Sequence, residues 1–331
     1  MKSTNYNRTG RNVLLACALA APAVAAQAQS NEQSNVQIYG LFDLGIVKRS
    51  NGFTGIERGS NNRLGFRGTE DLGNGLSATF HLQTRFKTDT GEQERPTIFW
   101  QGESTVGLTS KTWGALRLGR ATTPMNQKNW KFEPWESSGF NASLNAFQLG
   151  NFTFSADGTN DAAIGSANFI RTQGVFYNSP TLGDFSLAVA GQVEKEAGAR
   201  SRNRGFSLNY DSGPVALMLA GEQNTDRDRI GFVAAAYTIG PARVMGSFSR
   251  IDHREREDES SYVVGATYDL GPGLLRAGFG RDIDLDVSRI STGYVHPLSK
   301  RTKLYLDLWR HRTTSSASTY NGVALGIKHT F

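Results

Sequence analysis

The chain alternates. Val36, Ile38, Gly40, Phe42, Leu44 and Ile46 share one parity, with Gln37, Tyr39 and Asp43 on the other. The same two-residue period sets Leu76, Ala78, Phe80 and Leu82 against Ser77, Thr79, His81, Gln83 and Arg85. It separates Phe185, Leu187, Val189, Gly191 and Val193 from Ser186, Ala188, Ala190, Gln192 and Glu194, and returns at Val215, Leu217, Leu219 and at Leu304, Leu306, Leu308. Successive side chains point to opposite faces only in a strand, and no stretch carries a convincing 3.6-residue period, so the chain reads as all-β. The pattern runs to the last residue. Val323, Leu325, Ile327, His329 and Phe331 lie on one face of a final strand, which suggests an embedded end rather than a frayed tail.

The connections set the number of strands. Tight turns read at "EDLGNG" (70–75), "SKTWG" (110–114), "SPTLG" (179–183), "DSGP" (211–214), "GP" (240–241), "GPG" (271–273) and "LSKR" (298–301). Between them lie longer polar segments such as "RSNGFTGIERGS", "KTDTGEQERP" and "DHREREDESS". Seven tight turns alternating with eight longer loops require sixteen antiparallel strands, with both chain ends on the tight-turn side. Short turns on one side and long loops on the other mark a transmembrane barrel, and an even count lets the first and last strands pair and leave no edge in lipid. A soluble sandwich would alternate too. Strands of ~9 to 11 residues and aromatic residues near strand ends favour the membrane barrel.

The N-terminus agrees. Lys2, Arg8 and Arg11 precede an apolar run from Val13 to Ala26, and Ala26-Gln27-Ala28 has the small-x-small form of a signal-peptidase site. Residues 1–28 are therefore expected to be a cleaved export signal, leaving residues 29–331 as one barrel domain. Leu14-Leu15-Ala16-Cys17 matches a lipoprotein box, but the apolar residues continue to Ala26 past the cysteine that should end them. Cleavage near Ala28 removes the sole cysteine, so no disulfide and no cysteine-based metal site is expected. It also lowers the 36 basic residues to 33 against 30 acidic ones, and the net charge from +6 to +3. That balance is not a nucleic-acid binder's.

One interval between turns is anomalous. Tight turns beginning at 70, 110, 179, 211, 240, 271 and 298 are evenly spaced except across 110–179. The surplus falls at 121–167, which includes "TTPMNQKNWKFEPWESSGFNASLNAFQLGNFTF". So long and aromatic a loop is not expected to be mere coil, and sixteen strands enclose a lumen wide enough to receive it.

The chain resembles the general diffusion porins of Gram-negative bacteria, most closely the beta-proteobacterial branch. The resemblance rests on "VQIYGLFDLGI", "RLGFRGTEDLGNGLSATFHLQ" (63–83), "LRLGR" (116–120), "VFYNSP" (175–180), "LSKRTKLY" (298–305) and the terminal Phe, and covers essentially the whole chain. It implies an outer-membrane protein, a homotrimer of barrels each with a third loop, here 121–167, folded into its lumen. It implies passive diffusion of small hydrophilic solutes and ions through a water-filled channel. It makes lipopolysaccharide and outer-membrane lipid the surroundings, and Phe331 the signal read by the barrel assembly machinery. His329 replaces the commoner aromatic two positions before it.

The pore residues follow from parity and resemblance together. With Leu64 and Phe66 toward lipid, Arg63 and Arg67 point inward, and the same parity turns Arg85, Arg117 and Arg276 to the lumen. An arginine toward lipid at the midplane would cost ~2 to 4 kcal/mol. The resemblance puts Arg63 and Arg120 in a basic cluster facing the third loop, completed by Arg171. Arg120 breaks the parity of Leu116 and Leu118, so a bulge or the start of the loop must reorient it. The resemblance also calls for loop carboxylates opposite, for which Glu133 and Glu136 are the candidates, ahead of Asp157 and Asp161. Excess arginine implies mild anion selectivity.

Enzyme readings lack support. His81, His253, His296, His311 and His329 show no HExxH spacing and no hydrolase motif, and no cofactor is called for. Asp282, Asp284 and Asp286 make half of a calcium loop without its glycine or closing acid, so a solvated outer loop is expected there. A substrate-specific channel or adhesin on the same barrel is the alternative, with Trp130, Trp135 and Phe140 as aromatic surfaces for a solute.

Overall fold

In the computed structural model the described residues are 35–138, 142–149, 169–195, 197–255, 257–313 and 319–331. The expected signal, the expected cleavage site, Phe140, Asp157 and Asp161 lie outside them. The strand segments are β1 (Asn35–Arg49), β2 (Thr54–Arg58), β3 (Arg63–Gly73), β4 (Leu76–Arg85), β5 (Glu103–Ser110), β6 (Gly114–Thr122), β7 (Arg171–Asn178), β8 (Phe185–Gly191) and β9 (Arg204–Ser212). They continue as β10 (Val215–Gln223), β11 (Arg229–Ile239), β12 (Ala242–Asp252), β13 (Glu259–Leu270), β14 (Gly273–Asp282), β15 (Val287–Pro297), β16 (Thr302–Thr313) and β17 (Tyr320–Thr330). Successive strands pair antiparallel, except that β2 and β3 both pair with β1, and β17 closes the barrel against β1 in a register running from Leu41 opposite Thr330 to Arg49 opposite Gly322.

The barrel has sixteen staves, because β2 and β3 are two pieces of one strand. Both pair with β1, β2 through Leu44 to Lys48 and β3 through Asn35 to Leu41. Residues 59–62 leave the pairing between them and are held by Asp43. Its backbone N–H donates to Asn62 Oδ1 at 2.6 Å, and its carboxylate accepts from Ser60 Oγ at 2.6 Å and Tyr305 OH at 2.7 Å. Thr54 to Arg58, expected in an outer loop, therefore belong to the wall.

All seven tight turns fall where expected, on one end of the barrel. The opposite end is less regular than eight longer loops. Connections 86–102, 123–170 and 192–203 are long, but 224–228 and 283–286 are nearly as tight as the turns opposite. Side chains fold them locally. Asn224 Oδ1 accepts the N–H groups of Asp226 and Asp228 at 2.9 Å each, and Asp282 Oδ1 accepts that of Leu285 at 2.7 Å, the turn chemistry of Asn and Asp. The half calcium loop is used up the same way, for Asp284 accepts the Ser260 N–H and Asp286 pairs with Arg281.

Burial is inverted relative to a water-soluble sheet. On β16, Leu304, Leu306 and Leu308 are exposed while Tyr305, Asp307 and Trp309 are buried. An exposed apolar band around a polar interior fits a lipid-facing wall. Among the described residues no helix is long and apolar enough to cross a membrane.

The interior is filled in part by the segment after β6. It contains 3-10 turns at Met125–Gln127 and Asn129–Phe132 and a short helix, α1 (Asn145–Leu149). Met125, Phe132 and Leu149 pack with Met218, Ile230, Phe232 and Ile251, while Trp135, Leu144 and Phe147 pack with Val47, Val263, Val287 and Trp309. Polar bonds pin the same contacts. The Met125 N–H donates to Glu222 at 2.8 Å, Trp135 Nε1 to Asp307 at 3.1 Å, and Arg289 to the Ser143 carbonyl at 3.1 Å. Arg276 Nη2 donates to both Asp307 carboxylate oxygens, at 2.8 and 2.9 Å. The wall makes room where it lacks side chains, since a Cβ on Gly280 would run into the Phe147 ring. The described part of the segment is thereby seated against inward-facing residues of β10 to β17.

Candidate functional site

Arg63 opens β3, Arg85 closes β4 directly opposite it, Arg120 lies near the end of β6, and Arg171 opens β7. β3 to β7 are successive neighbours in the sheet, so these strand ends bring the four guanidinium groups to one side of the interior. All four line a single cavity of about 300 Å³, together with Arg58, Arg95, Glu94 and Glu136.

Backbone carbonyls of the segments beside the cavity hold the cluster in place. Arg120 Nε donates to Gln101 O at 3.2 Å, Arg171 Nε to Gly102 O at 3.0 Å, and an Arg63 nitrogen to Asn61 O at 3.3 Å. Arg120 reaches this face because of the residue before it. The pairing of β6 with β5 and β7 runs without a register shift, so there is no inserted residue. Instead Gly119 takes φ +126°, a backbone that only glycine adopts without strain, and turns the chain between lipid-facing Leu118 and luminal Arg120.

The acids are distributed differently from expectation. Glu136 lines the arginine cavity, carried on left-handed backbone at φ 51° beside Ser137 at φ 55°. Glu133 is buried within its own loop. Its carboxylate accepts the N–H groups of Trp135 at 3.0 Å, Ser137 at 2.5 Å and Leu144 at 3.3 Å, and the Ser143 hydroxyl at 2.9 Å. Burial pushes the Glu133 carboxyl above its ordinary value, and these donors hold it partly back. The structure thus places Glu133 as the knot of the loop.

The acid that sequence reading missed is Glu94, on the connection 86–102. Its backbone N–H returns to Arg85 O at 3.1 Å, and its carboxylate pairs with Arg58 and accepts from Gln101. Burial alone would raise its pKa, but Arg58 and Arg85 outweigh burial and hold the carboxyl below its ordinary value. The adjacent Glu94 and Arg95 in "GEQERP" were the available signal, and nothing local distinguishes such a pair from a solvated loop.

Arg67 and Arg117 lie elsewhere. They line a second hollow of about 320 Å³, nearer the tight turns, with Gln37, His81 and Glu103. Arg117 pairs with Glu103 at 2.5 Å, and Arg67 donates to Gln37 at 2.8 Å. Trp130 lines the arginine cavity, while Trp135 is buried against Asp307 and Arg276. Phe331 continues the closing pair, exchanging backbone hydrogen bonds with Gly40 at 3.0 and 3.2 Å and stacking its ring on Phe42 at 5.8 Å.

A closed sixteen-stave barrel with a polar, arginine-rich interior can pass water and small solutes. The family model for Gram-negative porins matches residues 15–316. This chain belongs to the Gram-negative porin family. The porin is 28% identical to outer membrane porin protein 32 of Delftia acidovorans, over 95% of this chain and 99% of the relative. It is also 28% identical to an outer membrane porin protein of Bordetella pertussis, over 97% of this chain and 100% of the relative. Among solved structures, an anion-selective porin from Comamonas acidovorans superposes with a TM-score of 0.75 at 25% identity, covering 90% of this chain and 100% of that one. Family, fold and relatives place the porin in the outer membrane as a channel.

Proposed function

We propose that the porin passes small hydrophilic solutes and ions by passive diffusion with a mild preference for anions. The observation that carries this reading is charge: six arginines and two glutamates line one cavity. Six fixed guanidinium groups against two carboxylates raise the local concentration of anions and lower that of cations. The resemblance to an anion-selective porin supports it. In this reading 121–167 is the constriction loop, Arg63, Arg85, Arg120 and Arg171 face Glu136 across the narrow zone, and Arg67 and Arg117 line the approach from the tight-turn side.

The test is the reversal potential across a planar bilayer under a salt gradient. Changing Arg63, Arg120 and Arg171 together to Glu inverts the local field and should move the reversal potential toward cation selectivity, more at 0.1 M salt, where the Debye length is ~10 Å, than at 1 M, where it is ~3 Å. Equivalent changes at Arg227 and Arg229, at an outer connection, should do much less. Channels that keep the wild-type reversal potential in the triple variant would refute the assignment.

The rest of the reading concerns assembly. Residues 1–28 are removed on export, residues 29–331 form the barrel, and three copies associate. Phe331 is the residue read by the barrel assembly machinery. The outward column Leu304, Leu306, Leu308 gives way to exposed Arg310 and Arg312 at the end away from the tight turns, which suits the phosphates of lipopolysaccharide. Trp130 at the cavity favours the second reading, a channel specific for a sugar or aromatic acid. Saturable, solute-blocked conductance would establish that reading and linear conductance would exclude it.

A further inference from the structure

The arginine cavity has two unlike sides. Arg63, Arg85, Arg120 and Arg171 reach it from the ends of β3, β4, β6 and β7, whereas Trp130, Ala146 and Leu149 reach it from the segment seated against the opposite wall. Trp130 is the exposed member of its 3-10 turn, between the buried Asn129 and the turn's anchors: Lys131 Nζ donates to Asp211 at 2.8 Å, and Phe132 is buried. Its indole Nε1 donates to Gln127 O at 2.9 Å, which uses the ring's single donor and leaves its faces bare. Such a face gives a chloride or phosphate ion nothing. To a flat apolar solute it gives a stacking surface.

The polar groups define what else that solute carries. Arg85 and Arg171 are each anchored through Nε, to Gln83 Oε1 at 3.3 Å and to Gly102 O at 3.0 Å, which leaves their terminal nitrogens as donors. Acceptors, by contrast, are mostly taken. Asn126 Oδ1 accepts from Asn129 Nδ2 at 3.3 Å, Asn145 Oδ1 from the Ser137 hydroxyl at 3.0 Å, and the Glu94 carboxylate from Arg58 and Gln101. The hydroxyl groups of a sugar have to donate as well as accept, and here they would leave donors unpaired. A carboxylate only accepts, and a guanidinium fork matches both of its oxygens. We propose that the cavity binds a single-ring aromatic carboxylate of the benzoate class, with its carboxylate on Arg85 and Arg171 and its ring on Trp130. The proposal rests on the reading of this cavity as the narrow zone of a water-filled channel. A volume of about 300 Å³ is at the lower end of small-molecule sites, which suits one ring. A resident acid would obstruct the ion path, so binding is read as block.

The experiment is the current through single reconstituted channels in KCl at neutral pH, with benzoate, acetate, benzyl alcohol or glucose added on one side. Benzoate should reduce the conductance saturably. Acetate has the carboxylate without the ring, and should need at least about 5-fold more for half block, since an aromatic pair contributes ~1 kcal/mol and tenfold is 1.4 kcal/mol. Benzyl alcohol, a ring without the charge, and glucose should not block. Trp130→Ala should weaken the benzoate block by about 5-fold, and Trp130→Phe should keep most of it. Benzoate and acetate that act alike overturn the proposal, as do block by glucose without block by benzoate and a Trp130→Ala channel blocked like the wild type. Failure of the anion reading is separable, because it shows in KCl alone, before any solute is added, as a wild type without anion preference. If a variant does not insert, the comparison of solutes on the wild type still decides.

Discussion

Glu94 shows how one side chain ties charge to stability. Its carboxyl is held below the ordinary value in the folded state, so its contribution to stability is present above the unfolded pKa and is lost as pH falls through the lowered folded one. Glu94→Gln should remove the Glu94 charge that Arg58 and Arg85 face, costing about 2 kcal/mol of local stability and raising the anion-to-cation permeability ratio. The variant should also lose part of the wild type's sensitivity to acid below about pH 4, read as unfolding temperature in detergent against pH. Gly119 ties backbone to site in the same way. A side chain there would meet both a positive φ and the Ser104 carbonyl, so Gly119→Ala should turn Arg120 away from the cavity. The expected readout is a reversal potential shifted toward that of an Arg120→Gln channel; an unshifted Gly119→Ala channel would deny Gly119 that role.

At the scale of elements, the segment after β6 is held by its own apolar side chains rather than by regular structure. Phe147 is buried where Gly280 leaves space on β14. Phe147→Ala should cost about 3 to 5 kcal/mol of that packing, and Gly280→Val should expel the ring. Either change should free the segment, giving faster proteolysis within 121–167 and noisier open channels while the barrel stays folded. Protection equal to wild type would show that other contacts suffice to hold the segment. The strands and tight turns were legible because their signals are local: alternation needs only neighbouring residues, and Gly, Pro, Asn and Asp mark turns by their own backbone preferences. The shortness of 224–228 and 283–286 was not, because it depends on side chains of Asn224 and Asp282 folding back on the next residues rather than reaching into water.

At the scale of the whole molecule, closure is the decisive contact. β1 pairs with β17 across the full length of the sequence, and Phe331 completes that pairing through Gly40. Removing Phe331 deletes the last backbone pair and its ring contact with Phe42, so the truncated porin should reach the outer membrane at well below wild-type levels, measured by quantitative blotting of membrane fractions. Normal levels would deny the last residue its role in assembly. The intact protein should also migrate as a heat-dissociable oligomer in mild detergent, and a monomeric species there would refute the trimer.

The sequence by itself determined the strand class, the tight turns, the number of staves and which parity of each strand meets lipid, because all of these follow from a two-residue period and from turn chemistry read a few residues at a time. Parity also placed Arg63 and Arg85 on the inside, while Arg120 and Arg171 were placed there by the resemblance, Arg120 against its local parity. Only the tertiary structure decided which of the inward residues meet. It gathered those four with Glu94 and Glu136, sent Arg67 and Arg117 to a separate hollow beside His81, and buried Glu133 in its own loop. The physical reason is that parity fixes the face of a residue, while its height along the barrel and its partners across the lumen depend on register and on how a long connection folds back, and neither is written in any one stretch of chain.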